Sequence, residues 1–418
     1  MTEALTPAAS RKPPPLWQME GPQLLLVIGS FLNAVAFFSA LPFASLYLAA
    51  YTPLSNPAIG AVVGGIALIA SVGGVVGGML VDRFGAVTLM GIGLSLYTLL
   101  YASLSVVRST PAIVALLLGL GAARLFVEPG GKKLMSLAAG ADGRIFRLRY
   151  MILCGGAIVG PAIGGLLYAI SPKVFFAVPA VLYAVYLALI VSRRALFAQL
   201  EETATGDKTR FPLSAAVRDV RLLAATGAGL AIFFVFAQME SIVPLYIKEQ
   251  WGEDAVRYFA GLFITNAVLA LVLQVPIVWL SNRMSRASLV VLGCFGFAAS
   301  FLCFWASGFA GLALLYVGIV FWTIGEGVLL PMPDIAVHEI ATDDRKGAYF
   351  GFAEIRYLGF FAGPFIGGLL LSGRNITYFA VMAAFIFVCA PLLLARRFSP
   401  SAPTKVGMPE EVVSAANH

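Results

Sequence analysis

Apolar residues in this chain come in long unbroken runs. They lie near 24–49, 58–80, 87–106, 110–131, 150–170, 174–192, 222–246, 257–280, 288–307, 309–333, 348–372 and 375–395. A helix needs roughly 20 mostly apolar residues to cross a bilayer, and each run meets or approaches that length. The runs are too long for the ~10-residue alternating strands of an outer-membrane barrel. The pattern therefore predicts an all-α membrane protein with twelve transmembrane helices.

A second pattern overlies the first. Gly156-x-x-x-Gly160-Pro161-x-x-Gly164-Gly165 in the fifth run returns as Gly359-x-x-x-Gly363-Pro364-x-x-Gly367-Gly368 in the eleventh, 203 residues later in a chain of 418. The loop Val81-Asp82-Arg83-Phe84-Gly85 is echoed by Ser281-Asn282-Arg283-Met284-Ser285, and Pro42 by Pro244. A repeat on the scale of half the chain predicts two pseudo-symmetric six-helix bundles with a site between them. The expected organisation is a cytoplasmic tail over 1–21, a first bundle over 22–194, a charged cytoplasmic linker over 195–221, a second bundle over 222–398 and a polar tail over 399–418.

Composition agrees with the runs: 60% of residues are hydrophobic and 12% charged. With the N-terminus inside, twenty of the 28 Lys and Arg residues fall on the cytoplasmic side and five outside, namely Arg108, Lys173, Lys248, Arg257 and Arg374. That asymmetry places both termini in the cytoplasm. It also accounts for the net charge of +7 as topology, so no nucleic-acid partner is expected. Four cysteines lie in apolar runs without metal-ligand spacing, and only two histidines occur. No metal and no other cofactor is expected.

Ionisable groups cost about 2.5–3.5 kcal/mol each at the centre of a membrane helix, so those the spans carry are candidates for function. Glu326 lies deep in the tenth run and Glu240 in the seventh; acids in such settings can load and release protons. Arg124 and Glu128 in the fourth run are four residues apart and share a helix face. That spacing allows either an internal ion pair or a cavity contact. Glu354 and Arg356 in the eleventh run are two apart, point in different directions, and each needs a partner on another helix. Arg149 stands at the cytoplasmic edge of the fifth run. Asn33, Phe236, Gln238, Trp322 and Tyr357 are expected to join Arg124, Glu128, Arg149, Glu354 and Arg356 around a substrate. Gating is expected at Gly78, Asp82, Arg83 and Gly85, and at the bends and small-residue faces made by Gly156, Gly160, Pro161, Gly164, Gly363 and Pro364.

Gly78-Met79-Leu80-Val81-Asp82-Arg83-Phe84-Gly85 resembles the Gly-x-Leu-x-Asp-Arg-x-Gly signature after the second span of the major facilitator superfamily, with Ala86 where a basic residue is usual. The Gly-Pro-Gly-Gly pattern of the fifth run is similar to that superfamily's antiporter motif. Gln238-Met239-Glu240 before Pro244, and Thr323-Ile324-Gly325-Glu326 before Pro331, resemble segments of its proton-coupled multidrug exporters. The resemblance implies that Glu240 and Glu326 handle protons; Arg149 stands where such exporters can carry an acid.

Together these observations predict a secondary transporter, not an enzyme. It would work as a monomer in a bacterial inner membrane, exporting a small organic molecule against inward proton flow. The alternative is export of an anionic metabolite, such as a carboxylate siderophore, contacted by the intramembrane arginines. No nucleotide-binding glycine loop with lysine occurs, which argues against ATP drive.

Overall fold

Within lipid a backbone can satisfy its own hydrogen bonds only as a helix or a closed barrel, and the spans among the described residues are helical. The computed structural model describes residues 21–138, 144–202, 218–281, 283–340, 349, 352–371 and 375–394. Ten stretches among them are long and apolar enough to cross a membrane. One of these, Val220–Ser281, holds two helical runs divided near Gly252, and the apolar helix Asn56–Ser71 begins a longer one. Counting both gives the twelve expected spans, and no strand occurs among the described residues.

Span 1 is Gly21–Ala40 and Ala44–Tyr51, joined by a 3₁₀ turn over Leu41–Phe43. Spans 2 to 6 are Asn56–Phe84, Ala86–Val106, Thr110–Ala138, Arg144–Ile170 and Pro172–Ser192. A short helix, Arg194–Glu202, follows. Span 7 comes in three pieces, Val220–Phe236, Gln238–Ser241 and Val243–Trp251. Spans 8 and 9 are Ala255–Ser281 and Arg286–Ala310; span 10 is Ala313–Leu329 continued by Met332–Ile340. Span 11 opens with a 3₁₀ segment, Glu354–Leu358, before Gly359–Leu371. Span 12 is Asn375–Phe385 and Cys389–Leu394 around a 3₁₀ turn. The chain crosses back and forth, so one end of the molecule holds Phe84, Arg144, Val220 and Ser281 (the terminal end). The other holds the hairpins after Tyr51, Val106, Ile170, Trp251, Ala310 and Leu371 (the hairpin end).

The breaks in spans 1 and 7 have one cause. Pro42 and Pro244 lack the N–H that an α-helix would use, and each stands at the first turn of the piece that follows. Three residues before each proline a buried serine bonds the preceding turn. Ser39 Oγ donates to the Ala36 carbonyl at 3.0 Å and Ser241 Oγ to Ala237 at 2.6 Å.

The repeated glycines set the packing. Span 5 lies on span 1 so closely that a Cβ at Gly160 would sit 2.6 Å from the Phe38 Cβ, with Gly156 against Ala34 and Gly164 against the Ser39 carbonyl. Span 11 lies on span 7 in the same way, with Gly359, Gly363 and Gly367 against Leu230, Phe234 and Gln238. The last glycine of each motif faces the other half: a Cβ at Gly165 would sit 3.0 Å from Ala260 on span 8, and one at Gly368 2.6 Å from the Asn56 carbonyl on span 2. Adjacent helical residues point about 100° apart, so one Gly-Gly pair serves both an internal seam and the seam between halves.

The seam between halves lies toward the hairpin end. Gly60 and Gly64 of span 2 meet the Pro364 and Phe361 carbonyls of span 11. Phe43 and Phe38 of span 1 meet Phe259 and Phe263 of span 8 at 5.4 and 5.8 Å between ring centres. Away from the seam, each half has its own aromatic core. In the first, Tyr183 stacks on Tyr97 and Tyr101 at 4.3 and 5.7 Å. In the second, Trp322 is ringed by Phe297, Phe301 and Phe304 at 4.8, 5.7 and 6.2 Å.

Candidate functional site

Small residues draw the halves together at the hairpin end, and the space they leave is a cavity of about 630 Å³ on the terminal side of that seal. Spans 1, 2, 4, 7 and 11 build it. Its walls carry Phe37 and Leu41, Val63 to Ser71, Arg124, Glu128, Pro129 and Lys132, then Phe233, Ala237 and Glu240, and Glu354, Tyr357, Phe360 and Pro364. Lys132 and Glu354 stand nearest the terminal end of their spans; Glu240 and Pro364 lie nearest the seal.

Charge enters the cavity unevenly. On span 4, Arg124, Glu128 and Lys132 follow at four-residue spacing, so they form one stripe of alternating sign, and all three line the space. Arg124 is exposed although it lies midway along its span, because it opens onto the cavity. Its guanidinium sits 5.0 Å from the centre of the Phe37 ring, within cation–π range. From the second half come two carboxylates, Glu240 and Glu354. Arg124 is the cation whose charge reaches Glu240. Phe233, Tyr357 and Phe360 stack on one another in the same wall, with centroids 4.7 to 6.0 Å apart.

Glu326 stands behind the wall, between spans 8 and 10. The Asn266 Nδ2 donates to its Oε2 at 3.0 Å, and the Thr323 hydroxyl donates to the Asn266 Oδ1 at 2.7 Å. Asn266 thus ties span 8 to span 10. Glu240 lies within electrostatic range of Glu326.

Five expected substrate contacts, Trp322, Gln238, Arg356, Asn33 and Phe236, lie outside the cavity lining. Trp322 is wholly buried in the aromatic core of the second half, where its size fills space between spans 9 and 10. Gln238 is also wholly buried. Its Nε2 donates to the Phe234 carbonyl at 3.0 Å and its Oε1 accepts from the Tyr378 hydroxyl at 3.1 Å, tying span 7 to span 12. Arg356 is 4% exposed. Its Nη1 donates to Asp334 of span 10 at 2.7 Å, and its guanidinium lies 5.6 and 5.4 Å from the Phe233 and Tyr357 ring centres. Arg356 thus clamps spans 7, 10 and 11 rather than facing cargo. It also approaches Glu354 at 3.7 Å, contrary to the expectation that the two point apart. The 3₁₀ segment has three residues per turn, which alters the α-helical spacing that expectation assumed.

Asn33 stands one turn before Phe37 and is half-buried, outside the cavity lining. Phe236 packs against Phe360 and Trp322 behind the wall. Arg83 is exposed, stacked over Phe84 at 5.2 Å. Gly85 has φ 85° and separates spans 2 and 3, a conformation that side chains with a Cβ rarely adopt. The side chains of Asp82 and Arg149, and the surroundings of Gly78, lie outside the described residues. Gly156, Gly160, Gly164 and Gly363 are at seams inside a half; Pro161 and Pro364 sit within continuous helix, and Pro364 also lines the cavity.

Sequence reasoning missed Lys132 as a lining residue, though its spacing from Arg124 and Glu128 signalled it. It also missed Phe360, Asp334 and the inter-half role of Gly60 and Gly64. Asp334 carried no local signal, since its partner lies 22 residues on in a separate span.

Comparison with known proteins agrees with this architecture. The family described as the Major Facilitator Superfamily matches residues 26–269 and 255–416. The uncharacterized MFS-type transporter YqjV of Bacillus subtilis is 27% identical over 381 residues, covering 88% of this chain and 92% of the relative. The multidrug resistance protein MdtH of Shigella dysenteriae is 24% identical over 384 residues, covering 90% and 93%. Among solved structures, the nucleoside transporter NupG superposes with a TM-score of 0.75 at 14% identity, over 90% of this chain and 99% of that one. The peptide transporter POT in complex with sulfate gives 0.74 at 15% identity, over 90% and 94%; at such identities the likeness concerns the fold. With twelve apolar spans, two matched halves and a central cavity, the chain belongs to the Major Facilitator Superfamily and is a multi-pass membrane transporter.

Proposed function

We propose that this transporter exports an amphipathic organic cation by alternating access, in exchange for protons moving inward across a bacterial inner membrane. The Lys and Arg asymmetry of the loops supports an orientation with both termini in the cytoplasm. In that orientation the cavity faces the cytoplasm, the side from which an exported molecule is loaded. The bundles over 22–194 and 222–398 then act as the two rocking bodies, and 195–221 as the tether between them. Arg83, Asp82, Gly78 and Gly85 lie where those bodies would meet when the terminal end closes.

The observation that carries the reading is Glu240, a carboxylate in the wall of a cavity that Phe233, Tyr357 and Phe360 also line. An acid next to aromatic faces suits an organic cation. The same acid can bind a proton instead. A site that holds either one, but releases one before taking the other, exchanges them. Glu326 sits within electrostatic reach of Glu240 and supplies a second acid for the proton. The multidrug resistance protein among the relatives is in keeping with this class of cargo.

The test is uptake into reconstituted vesicles with an imposed pH gradient, across a panel of lipophilic cations and carboxylates. Glu240→Gln and Glu326→Gln are each expected to lower gradient-driven cation transport roughly a hundredfold, the equivalent of about 3 kcal/mol for a buried charge contact. Full gradient-driven transport by both variants would overturn the proton-coupled reading.

An anionic cargo is the second reading, and Arg124 favours it because its guanidinium opens onto the cavity. Its weight is smaller now that Arg356 is committed to Asp334. Among the described lining residues three carboxylates face one arginine and one lysine. Arg124→Ala separates the readings: loss of carboxylate transport with cation transport kept selects the anion.

A further inference from the structure

Asn266 and Thr323 lie outside the cavity lining, yet they hold Glu326. Each side chain carries both a donor and an acceptor. In the structure the Asn266 Nδ2 donates to the Glu326 Oε2 at 3.0 Å. The Thr323 hydroxyl proton has two acceptors in reach, the Asn266 Oδ1 at 2.7 Å and the Ile319 carbonyl at 2.8 Å. Thr323 is 1% exposed, so no water competes for it.

We propose that Asn266 and Thr323 form a two-position hydrogen-bond switch that reads the proton on Glu326 and passes its state to span 8. With Glu326 ionised the bonds run as in the structure: amide N–H to carboxylate, threonine O–H to amide oxygen. With Glu326 protonated the carboxyl becomes a donor. A half-turn of the Asn266 amide then presents Oδ1 to the new O–H and Nδ2 to the Thr323 oxygen. The threonine proton moves to the Ile319 carbonyl. The Glu326–Asn266 and Asn266–Thr323 contacts are kept in both positions, whereas leaving the amide unturned leaves the new O–H without this acceptor, a cost in a site only partly open to water. No bond to carbon is made or broken; one proton is gained and the donors turn.

The switch sits where its state can matter. Span 8 carries Phe263 one turn before Asn266 and Phe259 two turns before, both in the hairpin-end seal against Phe38 and Phe43. Ala260 of the same span meets Gly165 across the seam between halves. Among the described groups, Glu240 on span 7 is the titratable residue whose charge reaches Glu326. Arg124 on span 4 is the cation that reaches Glu240.

This inference rests on Glu326 being a proton site, and the experiment separates the two claims. Reconstituted Thr323→Val, Thr323→Ser and Asn266→Leu are compared with the parent and with Glu326→Gln by the pH profile of exchange and by the infrared band of the protonated carboxyl. Asn266→Leu removes a donor that favours the carboxylate and should move the pH of half-maximal exchange upward by about one unit, roughly tenfold in proton concentration. Thr323→Val takes a partner from the amide in both positions, so it should move the midpoint from that of the parent and shift the carboxyl band. Thr323→Ser, which keeps the hydroxyl, should restore the parent profile. Lower rates with unmoved midpoints and an unmoved band in both Thr323→Val and Asn266→Leu would mean a structural tie only, and the switch would be wrong. Should Glu326→Gln itself keep the parent pH profile and the band, the proton-site reading fails instead. Thr323→Val is nearly isosteric and decides the matter alone if Asn266→Leu does not fold.

Discussion

Span 5 lies on span 1 as span 11 lies on span 7, with glycines at matching positions, yet the two halves present different walls to the cavity. The first half offers the stripe Arg124, Glu128 and Lys132 on one unbroken helix, Thr110–Ala138. The second offers Glu240 and Glu354 on spans that change helical form, span 7 at Ala237 and Ile242 and span 11 at its 3₁₀ start. Charge of alternating sign on an unbroken helix suits a fixed wall. Unbalanced acids beside helix breaks suit the part of the site that changes state. The backbone approach is alike in the two halves, and the acids of the second stand on its interrupted helices.

The comparison can be broken at its seams. Gly164→Leu and Gly60→Leu each drive a side chain into a backbone carbonyl, that of Ser39 inside one half or that of Pro364 between halves. The first should cost about 3 kcal/mol of stability as overpacking, seen as a lower unfolding temperature in detergent. The second should leave each half folded and hold the hairpin end open. Transport should then fall roughly a hundredfold, the counterpart of about 3 kcal/mol in the balance of conformations. A cysteine placed at the seal should label readily in the Gly60 variant. Equal destabilisation by both substitutions would erase the distinction between internal and inter-half seams.

A smaller effect sharpens the contrast between the arginines. Arg356→Ala removes the buried partner of Asp334 and is expected to lower stability by about 2 kcal/mol, the cost of a hydrogen bond to a charged group. Arg124→Ala should leave the unfolding temperature near that of the parent and change cargo preference about tenfold or more. The reverse assignment would show that the clamp and the cavity contact have been exchanged.

The smallest effects are at the two echoed loops. Gly85 takes a positive φ, whereas Ser285 takes φ −65° and caps span 9 by accepting from the Ser288 N–H at 3.1 Å. Two different devices therefore turn the same loop. Gly85→Ala should cost about 1 kcal/mol through backbone strain, and Ser285→Ala about 1 kcal/mol through the lost cap. Ser285→Gly should cost only a few tenths, measurable by chemical unfolding of the parent and variants side by side.

Much of the fold was legible because long apolar runs have one solution in lipid and because the glycine repeat marks both halves. The charged spans were legible too, since an ion in a membrane helix needs a reason. The orientation of each charged side chain was not. Arg356 reads like Arg124 in sequence, but Asp334 approaches it from another span, and a 3₁₀ turn brings Glu354 alongside. Trp322 and Gln238 were expected around a substrate, yet neighbouring helices close over both. Glu326 was identifiable as a deep acid, while the amide that holds it lies 60 residues away.

The sequence alone determined the number of crossings, the doubling of the bundle and the identity of the costly ions, because those follow from hydrophobic length, repetition and desolvation. Only the tertiary structure decided which ions share the chamber and which are spent on clamping helices. That choice depends on the rotation of each helix about its axis, and rotation is set by packing against neighbours that no local stretch of sequence contains.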